Sequence, residues 1–244
     1  MLACAFFILI IILITGVIVG YPKSKVKQGL SKSSVILNKT SKVYKYKIVV
    51  DAGHGEWDPG TSSGKLYEKD ITLKIAKYIE EYLKGKDCEV VMTRTADKVS
   101  TKTAMEQVNY VAVLSNEASP DAFVSIHVNS NEEPSCKGVS TCYYYNEANY
   151  QKEERLKLAN IMQKQMIKDD NWKNMGIKKQ KLVVLSKSTA VSALIECGFI
   201  SNSEDRARLT NDEVLKRLAK NISEGVLEYL NGSKANKSEA NNDK

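Results

Sequence analysis

The chain has 244 residues, 43% apolar and 27% charged, with a net charge of +7. That length and balance suit one α/β domain with a substantial core and exclude a wholly disordered chain. The positive charge does not point to nucleic acid. Eight lysines and no acid lie between Tyr21 and Lys47, and without those eight the remainder stands near −1.

Residues 1–20 carry no charged side chain. Twenty helical residues at about 1.5 Å each reach roughly 30 Å, one bilayer core. No small-x-small cleavage site follows clearly, so the run over 1–21 is expected to be an uncleaved membrane anchor or signal rather than a removed leader. The lysines follow the run instead of preceding it, which on charge alone would hold the domain inside the cell. A basic segment upstream would reverse that orientation. Residues 22–44 read as a basic linker, either a solvated spacer or a segment suited to anionic lipid or wall polymer.

From residue 45 to 230 the pattern is that of one domain. Residues 46–51 (YKIVVD) read as a strand. Ile71, Ile75, Ile79 and Leu83 recur every four residues and predict an amphipathic helix over about 69–84. Strands are expected at 88–93, 122–128, 138–145, 181–185 and 190–196, and helices at 103–116, 149–168 and 212–230. Strands separated by helices imply a mostly parallel central sheet of about six strands with helices on both faces. The polar, Asn-rich residues 231–244 read as a disordered tail. The five cysteines form no C-x-x-C pair, so a zinc finger is not expected. Cys136 and Cys142 are close enough in sequence to meet across a turn as a disulfide.

The chain has only two histidines, and both sit at the carboxyl end of an apolar run. His54 follows KIVVDAG, and His127 ends FVSIH. In open α/β sheets, ligands gather outside the carboxyl ends of the strands. Glu196 ends a third run, SALIE, where partial desolvation should raise its pKa and suit it to proton transfer. Glu68 stands at the start of the first helix, across a Gly/Ser-rich loop from His54. One such histidine alone is more often structural; two with a strand-end acid favour a site. Two His and one Glu around zinc, with a fourth place for water and a second carboxylate to move protons, form a hydrolytic arrangement. Glu68 is not singled out by spacing, because Asp51, Asp58 and Asp97 compete with it. Asp58, before Pro59-Gly60, reads as a turn residue, and Asp51 as a residue that orients a histidine.

At these residues the sequence resembles the N-acetylmuramoyl-L-alanine amidases of the zinc-dependent amidase-3 family. The matching segments are VVDAGHGEWDPG (49–60), LYEKDITLKIA (66–76), VVMTR (90–94), FVSIHVNS (123–130) and ALIECGFISN (193–202). The resemblance implies that His54, Glu68 and His127 bind Zn2+, with Glu196 as the catalytic acid/base. Asp51, Asn129 and Arg94 would support the ligands or the substrate. The implied reaction cleaves the amide between N-acetylmuramic acid and L-alanine of the peptidoglycan stem peptide. Glu56 stands where a second glycine is common, and Gln107 or a neighbour stands where many members carry arginine, which bears on substrate positioning. A minimal domain behind an anchor is most similar to the CwlD-type spore-cortex branch. That branch implies a role in muramic-δ-lactam formation, a partner lipoprotein, and an extracytoplasmic place in the cell wall or forespore intermembrane space. A vegetative autolysin, a non-catalytic peptidoglycan-binding homologue and a zinc peptidase are the alternatives.

Overall fold

The computed structural model describes residues 42–146 and 151–242. Residues 1–41, which hold the expected anchor and most of the basic linker, lie outside the described residues. Among the described residues no helix is long and apolar enough to cross a membrane.

In chain order the elements are β1 (Tyr46–Ala52), β2 (Ser62–Ser63), β3 (Leu66–Tyr67), α1 (Glu68–Lys84), β4 (Cys88–Met92), α2 (Ala104–Ala118) and β5 (Ala122–Asn129). They continue with β6 (Val139–Tyr143), α3 (Lys152–Met166), β7 (Asn174–Lys179), α4 (Val183–Lys187), β8 (Ser192–Phe199), α5 (Ser203–Leu209) and α6 (Asp212–Asn242). Six strands form one sheet in the order β4-β1-β5-β8-β6-β7, and β2 pairs with β3 as a small separate hairpin. Within the large sheet only the β6/β8 pairing is antiparallel.

The alternation of strand side chains builds two cores. Ile48 and Val50 of β1, Val124 and Ile126 of β5, and Ala193 and Ile195 of β8 face one side, where they meet α1, α3 and α6. Val49, Phe123 and Leu194 face the other side, against Val111 of α2 and Val184 and Leu185 of α4. Ile75, Ile79 and Leu83 of α1 are fully buried, each worth about 1.5–3 kcal/mol relative to exposure. The chain leaves β1 through α1 to β4 on one flank, and returns through α2 to β5 on the other. The carboxyl ends of β1 and β5 therefore meet where the strand order reverses.

Two expectations need correction, and the open question of a Cys136–Cys142 disulfide is answered. Residues 181–185 do not form a strand. Val183–Lys187 is a helical turn that packs Val184 and Leu185 into the second core, and the strand lies earlier, at Asn174–Lys179. A short apolar run carries no period that separates the two forms. The segment after Leu230, expected to be disordered, continues α6 to Asn242. It contains no proline, and alanine, lysine and glutamate extend a helix already nucleated upstream. The cross-link between Cys136 and Cys142 is not formed. The Cys142 thiol is free, lies 3.2 Å from Gln180 Oε1, and is pushed up to about 12 by burial, with Glu196 adding to the shift.

Candidate metal centre

The loop after β1 carries His54 at φ 63°, in the left-handed region that non-glycine residues rarely occupy. That strained turn brings the imidazole back over the strand ends, and such strain persists where surrounding contacts over-determine it. Asp58 is part of what holds it. His54 Nδ1 donates to Asp58 Oδ2 at 2.8 Å, while the backbones of Gly55 and Asp58 exchange hydrogen bonds of 2.9 Å. With Nδ1 engaged by Asp58, it is Nε2 of His54 that faces the site, where it supplies a lone pair once its proton is displaced.

Glu68 opens α1, and its side chain is 2% exposed. Its carboxylate accepts backbone N–H groups from two directions, Thr61 on Oε2 and Val128 on Oε1, both at 2.9 Å. His54 Nε2 lies 3.2 Å and His127 Nδ1 3.0 Å from Glu68 Oε1. The two imidazole rings stand edge to face, with centroids 5.0 Å apart. One nitrogen or oxygen from each of His54, Glu68 and His127 lies within 4.8 Å of the others, spacing that suits a single metal ion.

Two glycines make this approach sterically feasible. A Cβ at Gly60, whose φ is +64°, would sit 2.5 Å from Glu68 Oε2 and 2.7 Å from His54 Cδ2. A Cβ at Gly53 would sit 2.5 Å from His127 Cε1.

The three side chains shift one another's proton affinity. Burial disfavours the charged His54, but Asp58 and Glu68 outweigh it and raise its pKa to about 10. Burial likewise opposes charge on Glu68, yet both histidines hold its carboxyl far below the usual range. His127 is raised, with Glu68 overcoming burial.

Glu196 lies directly opposite His127 in the β5/β8 register. His127 and Glu196 fall on the same face of the sheet as Phe123 and Leu194, two or four residues along their strands. Glu196 Oε2 is shut off from solvent and has no hydrogen-bond partner. Burial pushes its carboxyl up to about 7, with His127 pulling down and Glu68 pushing up. An orphaned carboxylate oxygen this close to the trio is a group poised to take and give a proton near neutral pH.

The remaining candidates engage other partners or take other roles. Asp51 is buried but orients no histidine; Thr93 and Ser125 hydroxyls donate to it at 2.7 and 2.6 Å. Asp58, read from sequence only as a turn residue, takes the orienting role while also accepting from Gly60 N. The i,i+4 spacing from His54 within the Gly-rich loop was the available signal. Arg94 is 5% exposed and spends its guanidinium on the carbonyls of Ala52, Gly53, Lys69 and Ala96. It thus straps the end of β1 to α1. Asn129 uses its side-chain oxygen to accept from Ser130 N.

The N-acetylmuramoyl-L-alanine amidase family, Amidase_3, matches residues 48–228. The chain is similar to the germination-specific N-acetylmuramoyl-L-alanine amidase of Bacillus subtilis (strain 168), at 29% identity over 192 residues, covering 75% of this chain and 79% of that protein. It is also similar to the crystal structure of N-acetylmuramoyl-L-alanine amidase from Clostridium difficile 630, at 33% identity and TM-score 0.68, covering 76% of this chain and 97% of that one. A third likeness is to the CwlD amidase from Clostridioides difficile, solved in complex with the GerS lipoprotein. There the identity is 28% and the TM-score 0.69, with 76% of this chain and 98% of that one covered.

Proposed function

Because the chain belongs to the Amidase_3 family of N-acetylmuramoyl-L-alanine amidases, we propose that it is a zinc hydrolase in which His54, Glu68 and His127 hold the ion and Glu196 moves the proton. Its activity is that of a peptidoglycan amidase, and the bond cut joins the lactyl carbonyl of N-acetylmuramic acid to the amine of L-alanine. The observation that carries the reading is Glu196 Oε2, buried and without a partner beside two imidazoles and a carboxylate drawn to one point. The donor set fits zinc: two imidazole nitrogens and one carboxylate oxygen, with His54 oriented by Asp58. When bound, the ion supplies a lowered water pKa and a polarised scissile carbonyl. Glu196, near neutrality in its affinity for a proton, accepts one from the attacking water and returns it to the departing amine nitrogen. Thr61 N and Val128 N keep Glu68 in place throughout.

The finer role proposed is stem-peptide removal during spore-cortex maturation, at an extracytoplasmic membrane face, with a lipoprotein partner. The likeness to a germination-specific amidase and to an amidase bound to a lipoprotein supports it. Zinc content and muropeptide product analysis test the chemistry. Intact stem peptides with free L-alanine amino termini are expected, and cleavage within the stem would indicate a peptidase. Deletion followed by cortex analysis tests the role, and an unchanged muramic-δ-lactam content would refute it.

A further inference from the structure

We propose that Trp57 is a fixed stacking platform for a pyranose ring of the glycan that carries the scissile amide. The inference rests on the amidase reading and goes further, to how the sugar is held. Trp57 lies three residues after His54 and next to Asp58, yet the residue is 41% exposed. Exposed indole is unfavourable in water and contributes little to this fold's core.

The side chain is nevertheless held in place. Its Nε1–H donates to Thr101 O at 2.6 Å. Backbone on both sides is tied down: Gly55 pairs with Asp58, Glu56 N donates to Asp97 Oδ1 at 2.6 Å, and Val99 N donates to Glu56 Oε2 at 3.0 Å. Lys69 of α1 bonds both Glu56 O and Asp97 Oδ2. The loop bearing His54 and the loop 95–103 are thereby stitched together with the indole between them.

The platform is linked to the reacting centre through Thr101 and Gln107. Thr101 Oγ1 lies 2.5 Å from Gln107 Oε1, and Gln107 lines the small cavity bounded by His54, Asp58 and His127. An indole whose only donor is already engaged offers a ligand nothing but its apolar face. The amides of a peptide seek hydrogen-bond partners, which this face does not supply. A pyranose presents a flat face of C–H groups that stacks on it, and a pre-ordered ring loses little entropy on binding.

Two substrates with the same amide separate the outcomes: a muramoyl-peptide, and a D-lactoyl-L-alanyl peptide lacking the sugar. Trp57→Ala should raise KM for the muramoyl-peptide about tenfold with kcat nearly unchanged, leave the sugar-free substrate unaffected, and be largely rescued by Trp57→Phe. Equal effects on both substrates, or none on the muramoyl-peptide, would overturn the platform. Wild-type protein that cleaves neither substrate would remove the amidase reading itself. Fluorescence supplies a readout that does not depend on turnover. Of the chain's two tryptophans, Trp172 is only 5% exposed, so glycan titration should shift the emission of wild type but not of Trp57→Phe. An unshifted wild-type spectrum at saturating glycan counts against the proposal.

Discussion

Asp58 Oδ2 lies 2.8 Å from His54 Nδ1, inside a loop where His54 itself adopts φ 63°. The carboxylate fixes both the direction and the proton of an imidazole that the backbone alone would not hold. Asp58→Asn keeps the shape but loses the charge. It is expected to weaken zinc binding by about 10–100-fold, read by competition with a chelating dye, with the melting temperature changed by only a few degrees.

Gly53 and Gly60 provide the room in which the trio converges. Gly60→Ala would set a methyl 2.5 Å from Glu68 Oε2 at a φ of +64°, and Gly53→Ala would set one 2.5 Å from His127 Cε1. Each should cost on the order of 1–3 kcal/mol of stability. The larger consequence is expected at the metal. Calorimetric unfolding should show a cooperative fold, while zinc stoichiometry drops well below that of wild type.

The metal-free protein should show a pH dependence that zinc removes. His54 has a folded pKa raised to about 10 from 6.5. Its contribution to stability is fully present below pH 6.5 and is lost as pH rises towards 10. Glu68 is shifted downward, so its contribution holds above the ordinary carboxylate range and fades on acidification. Chelator-treated protein is therefore expected to melt progressively lower from pH 6.5 to 10. Zinc binding, which displaces the His54 proton, should tighten over the same window. Thermal melts with and without chelator across that range check both signs.

Much of the site was legible before the fold. His54, His127 and Glu196 each end an apolar run, and a parallel sheet must gather such ends on one edge. Glu68 was less legible because its position at a helix start also suits the helix dipole; only the family motifs distinguished it from Asp51, Asp58 and Asp97. The part played by Asp58 was hidden because a turn aspartate and a histidine-orienting aspartate look alike in sequence. Strand β7 was missed since its sequence, NMGIKK, offers just Met175 and Ile177 as apolar alternation on a sheet edge. The KLVVL run next to it looked more strand-like but caps the second core as a helical turn. Helix α5 was signalled only by Asn202, whose side chain caps Glu204 N and Asp205 N.

In the proposed mechanism Glu196 moves protons and does not hold the metal. Glu196→Gln is nearly isosteric and removes the titratable group, so zinc content and turnover of a defined muramoyl-peptide should be measured on the same preparation. The expected result is wild-type zinc stoichiometry with kcat lowered by about 10²–10⁴-fold. A variant that loses zinc together with activity, or one that keeps near wild-type turnover, would rule out that role for Glu196.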